Sequence, residues 1–338
     1  MRPVYLVGGE QKQNPQSDDE WHRHRAGKIL RLDPATKTVE TLVEYQSPPD
    51  VCPDEDPSFL FKASEITGDR LLTCSSTEVL IYDFPSMELR QQISHPCFND
   101  LHHVCIGPNG NYFVANTGLD MTVELSSTDG EIVRQWSVLE GKDVWHRFSP
   151  DVDYRKVPTT KPHEAHPNFT FFLGNDVWST RGKLKDAVCL TTPGQRIEAG
   201  DDRPIHDGIV TPHGIYFTWV DAHLARVNPE TLQREDVWDL AKMMSGLRRP
   251  GWCRGLHVVD EDRFLVAFTR MRPTKWQNNV SWASLRELKA LYRMPARVCL
   301  FNVRDQRTEW EFDLQDVGMT TVFSIHEAPE AEVTQAAA

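Results

Sequence analysis

Residues 101–138 constrain this chain more than any other stretch. His102–Pro108 is a β-rich run that ends at the turn Asn109-Gly110. Tyr112–Asn116 and Met121–Leu125 follow, then the turn Thr128-Asp129-Gly130 and the run Ile132–Trp136. Four short runs of β-branched and aromatic residues, joined by Asn-Gly and Asp-Gly turns, specify a four-stranded antiparallel meander. A lone meander cannot bury both of its faces, so the chain must repeat it.

The same phase recurs. Phe61–Leu89 turns at Thr67-Gly68-Asp69, and His166–Ala199 turns at Gly174-Asn175 and Pro193-Gly194. His206–Trp238 turns at Pro212-His213-Gly214 and Asn228-Pro229-Glu230. Arg254–Leu314 turns at Asp260–Asp262, is interrupted after Phe268 and resumes at Ala296–Val303. A sixth unit is split: Val4–Val7, Lys28–Leu32 and Val39–Val43 supply three strands, and Thr320–His326 supplies a first strand. The unit at 101–138, with its Val114-Ala115-Asn116-Thr117-Gly118 strand, resembles one repeat of the NHL β-propellers. The expected fold is therefore an all-β, six-bladed β-propeller of four-stranded antiparallel blades. Strands from both chain ends close the ring and remove exposed sheet edges. The expected limits are one propeller domain over residues 1–328 and a disordered tail over 329–338.

The chain has 338 residues, with 37 Lys and Arg against 49 Asp and Glu. A net charge of −12 argues against nucleic acid as a partner. No stretch is apolar enough for a signal peptide or a membrane span, so no membrane partner is expected. Seven cysteines without a C-x-x-C pair suit a reduced, cytoplasmic protein.

In such a meander the first-to-second and third-to-fourth turns share one end of the blade. These are nearly all short. The long connections, 8–27, 46–60, 139–165, 239–253 and 270–295, all fall at the other end, the face expected to carry function. Twelve of the thirteen histidines follow them, and His213 alone sits on the bare face. Aligning the first strands puts Lys62, His102 or His103, His166, His206 or Asp207, Arg254 or His257, and His326 around the channel. Imidazoles converging on an axis suggest a metal, with Zn, Fe, Cu or Ni preferred to Ca or Mg; hydrogen bonding between blades is the alternative. Lys62, Asp207 and Arg254 are the catalytic candidates. Arg203, Arg270, Arg272, Lys275, Lys161 and Lys62 are expected to bind an anionic group, or else to pair with Asp54, Glu55 and Asp56. Ser281–Arg293 has an apolar stripe at helical spacing, a helical insertion expected to pack on the propeller rim or else to lie across the mouth as a lid.

The whole pattern resembles the six-bladed propellers of the SMP-30/gluconolactonase, virginiamycin B lyase and NHL group. That resemblance implies a metal-dependent hydrolase, lyase or isomerase acting on a small, anionic molecule. The histidines depart from the carboxylate and amide ligands of gluconolactonases, which argues against a Ca-type lactonase and for Zn or Fe. His103, His166, His257 and His326 also resemble in type the four axial histidines of carotenoid-cleaving oxygenases, which implies a non-haem iron oxygenase as an alternative. A non-catalytic binding scaffold is a third reading.

Overall fold

The computed structural model describes residues 1–13, 23–244, 250–270 and 295–329. Six four-stranded antiparallel sheets form a ring. Blade one holds β1 (Val4–Gln11), β2 (His24–Asp33) and β3 (Thr38–Tyr45). Blade two holds β4 (Glu65–Thr67), β5 (Arg70–Cys74), β6 (Val79–Asp83) and β7 (Leu89–Ile93). Blade three is β8 (Leu101–Ile106), β9 (Tyr112–Asn116), β10 (Met121–Leu125) and β11 (Ile132–Ser137). Blade four is β12 (Pro167–Leu173), β13 (Asp176–Arg181), β14 (Asp186–Cys189) and β15 (Arg196–Ile197). Blade five is β16 (Ile209–Thr211), β17 (Gly214–Trp219), β18 (His223–Val227) and β19 (Arg234–Asp239). Blade six is β20 (Trp252–Val258), β21 (Arg263–Thr269), β22 (Arg297–Asn302) and β23 (Arg307–Asp313). The last strand, β24 (Thr321–Glu327), returns to blade one and pairs with β1 from Val4↔Glu327 to Gly9↔Thr321.

The core is divided among the joints between blades. Leu72 and Ile81 of blade two meet Val104 and Val114 of blade three. Tyr216 of blade five meets Phe264 of blade six, and Leu265 of blade six meets Leu6 and Leu30 of blade one. Second strands are therefore covered on both faces: every residue of β17 is buried. Outermost strands keep one wet face, and β23 alternates between exposed and half-buried residues. All seven cysteines are free and buried, as small core hydrophobes.

The two ends of the ring differ as the sequence led one to expect. Connections 46–64 and 138–166 lie on the same face as the starts of the first strands, and the short turns lie on the other. Residues 281–293, where a helix is expected, fall outside the described residues, as do Arg272 and Lys275 and the tail from 330 onward. Among the described residues no helix is long and apolar enough to cross a membrane.

Candidate functional site

Five first strands and the residues just ahead of them deliver side chains to the channel mouth, and Phe323 of β24 lies at its centre. Lys62 Nζ is 5.1 Å from the Phe323 ring centroid and Arg254 Cζ is 4.5 Å from it. The His102 and His206 rings lie 6.1 and 5.7 Å from the same ring. His166 is 5.1 Å from His102, and His102 is 6.1 Å from His206. Lys62 is almost wholly buried and pairs with Asp100 at 3.1 Å. The mouth thus gathers Lys62, His102, His166, His206, Asp207 and Arg254 from the expected residues.

His206 and Asp207 form its best-defined unit. Asp207 Oδ1 lies 3.1 Å from His206 Nδ1, while Oδ2 accepts the Thr218 hydroxyl at 2.5 Å and the Gly255 N–H at 3.0 Å. A carboxylate facing Nδ1 makes that nitrogen the donor and leaves Nε2 as the basic one. His206 Nε2 is buried without a hydrogen-bond partner among the described residues. Burial lowers the His206 pKa; the Asp207 charge opposes this, and the nearby Arg254 and Lys62 add to the lowering. The ring is therefore neutral, the form a base requires.

His166 makes a second polar contact through His163, whose Nδ1 lies 2.7 Å from His166 Nδ1. Only one proton fits between them. Thr160 donates its hydroxyl to the Gly118 carbonyl at 2.5 Å, so it accepts from His163 Nε2 at 3.4 Å. This network makes His166 Nδ1 the donor to His163. Burial, and then the neighbouring His102 and His163, hold the His166 pKa well below its ordinary value.

Three of the six expected metal ligands lie elsewhere. His103 stacks on Phe169 at 3.5 Å and accepts the Thr170 N–H at 3.2 Å, near enough to His206 and His326 to feel their charge. His326 lies deeper, with Nε2 2.8 Å from the Ser64 hydroxyl. His257 faces Glu327 at 4.0 Å. Desolvation holds the pKa values of His103 and His326 down to about 3. His103, His166, His257 and His326 are thus engaged separately, which does not fit an iron held by all four. Among the described residues no three His, Cys, Asp or Glu side chains are grouped to hold a metal ion. Lys62 and Arg254 lie over the same Phe323 ring, with the Asp100 carboxylate on Lys62 and the Asp207 carboxylate on His206. The described residues thus form no cluster set to hold Zn or Fe.

The remaining cations divide. Lys161 lines a cleft that runs between the 46–64 and 138–166 connections to Lys62 and Asp100. Arg203 is paired with Asp221 and lies over Trp219, 5.7 Å from its ring centroid. Arg270 follows β21, and its N–H donates to the Thr320 carbonyl. Asp54 and Asp56 are matched by Lys156 and Lys12, at 2.7 and 2.6 Å, rather than by the cations of the mouth. Sequence reasoning did not single out Asp100, Thr218 or Phe323; none of them belongs to a motif, and only the folded ring brings them in.

No family model matches the chain, and no curated protein does. Solved structures with the same architecture do. A protein of unknown function from Bacteroides caccae superposes with a TM-score of 0.61 at 13% identity, covering 96% of this chain and 98% of that one. A streptogramin B lyase gives 0.49 at 12% identity, over 96% and 98% of the two chains. Virginiamycin B lyase from Staphylococcus aureus gives 0.48 at 13%, over 92% and 89%. At such identities the likeness is one of fold.

Proposed function

We propose that the protein is an enzyme of the lyase, isomerase or hydrolase type that removes a proton at the channel mouth of a small, anionic substrate. The observation that carries this reading is the buried Nε2 of His206, without a hydrogen-bond partner among the described residues and set in its basic tautomer by Asp207. An Asp–His pair of this kind acts as a general base: His206 takes a proton from a C–H bond or a water, and Asp207 stabilises the imidazolium that forms. Lys62 and Arg254 both lie by the Phe323 ring, where they would hold an anionic group and offset negative charge as the proton leaves. Lys161 would meet the substrate in the cleft. Arg270, just past the end of β21, would add a further cation for the substrate.

The test uses a panel of small carboxylates, hydroxy acids and lactones incubated in D2O, with deuterium incorporation and ring opening followed by NMR. Wild type should turn over at least one of them, and His206→Gln should lose the activity while staying folded. A panel untouched by wild type, or turned over equally by the variant, refutes the reading and leaves the mouth as a binding site only.

A further inference from the structure

Asp120 lies outside the ring of first strands, just past the short turn Thr117–Leu119 that links β9 to β10. Its side chain has no solvent exposure. The two oxygens collect three successive backbone N–H groups of a segment more than forty residues away. Oδ2 accepts Glu164 at 2.7 Å, and Oδ1 accepts Ala165 at 3.0 Å and His166 at 2.8 Å. Arg147 Nη1, at 3.1 Å, completes the carboxylate's surroundings.

This clamp closes where the long 138–166 connection re-enters β12. His166 sits there at φ 60°, a left-handed conformation that a non-glycine residue keeps only when its surroundings impose it. Three amides held by one carboxylate are such an imposition. In this conformation His166 reaches His163 at 2.7 Å and lies beside His102.

We infer that Asp120 is a positioning residue of the mouth: by pinning the backbone from Glu164 to His166 it sets the His166 ring against His163 and His102. Its importance to function rests on the reading of the mouth as an anion-binding catalytic site. The positioning itself does not. Asp120 reaches the mouth through the backbone N–H of His166, so it acts through that residue.

Asp120→Asn and Asp120→Gly both suit the φ of 51° at that position, so neither introduces backbone strain. Glu124→Gln is the comparator: the side chain is buried in the same blade and bonded to Asn109 and Asn111 on the bare face. Two readouts are taken on the full chain, the 15N NMR signature of the His163–His166 hydrogen bond and the affinity for oxalate. The Asp120 variants should lose the shared N–H···N signal and weaken oxalate binding by about tenfold, as loss of charge-assisted hydrogen bonding to a preorganised group does. Glu124→Gln should change neither. Should both Asp120 variants fail to fold, Arg147→Met, which leaves the carboxylate in place, should still perturb the same signal. Retention of the signal and of oxalate affinity in folded Asp120 variants overturns the inference, and so does an equal loss in Glu124→Gln. Loss of the signal in a protein whose wild type ignores oxalate supports the positioning and refutes the anion reading instead.

Discussion

Asp207 Oδ2 accepts the backbone N–H of Gly255 at 3.0 Å, a bond from blade five to blade six directly beneath the candidate base. Gly255 has φ 77°, and a Cβ there would lie 3.2 Å from the carbonyl carbon and oxygen of Phe323. The joint therefore requires glycine twice over, for its conformation and for its space.

Gly255→Ala should destabilise the protein by about 1 kcal/mol or more, because the substitution meets positive φ and close backbone together. It should also weaken anion binding, since both Asp207 and Phe323 must shift. Urea unfolding and oxalate calorimetry check the two effects. Unchanged values in both would mean that the joint yields without consequence.

Lys62→Met and Arg254→Met should each weaken oxalate binding by about tenfold to a hundredfold, the range for lost hydrogen bonds to charged groups. His213→Ala should have no effect: His213 faces Glu261 on the bare end of the ring. A loss of binding in His213→Ala alone would place the site on the wrong face.

Stability should depend on pH through two opposed groups. The folded pKa values of His103 and His326 are held at about 3 against an ordinary 6.5. The unfolded chain thus binds more protons between those values, and stability should fall as pH drops from about 6.5. His326→Asn should flatten that slope in urea unfolding measured from pH 7 to pH 4. Glu65 has the opposite sign. Desolvation pushes its carboxyl up to about 7 from 4.5, so the folded state holds its proton longer and stability falls as pH rises across that window. Glu65→Gln should remove this decline; a Glu65→Gln profile superimposable on wild type above pH 5 would contradict it.

Deleting residues 318–338 removes β24 and leaves β1 as an open edge next to the Leu6–Val322 core. The truncated chain should aggregate, as exposed edges do. Sedimentation of the purified protein decides this, and a soluble, fully folded monomer would show that the ring does not need its closing strand.

The sequence alone determined the blades. Recurrent short β-rich runs, Asn-Gly and Asp-Gly turns and a split sixth unit leave one way to bury every sheet face, and that way closes the ring through both termini. It also determined which end carries long connections, because loop length follows from strand order. It could not decide which of two adjacent histidines enters the mouth. Successive strand residues point to opposite sides, and the β8–β9 register shifts between Leu101 and His103, which sends His102 to the axis and His103 onto Phe169. A similar shift between Cys253 and Leu256 separates Arg254 at the mouth from His257 near Glu327. Such irregularities arise from packing between blades and leave no local signal. His166 is the plainest case: its place depends on Asp120, 46 residues earlier, and only the tertiary structure brings the two together.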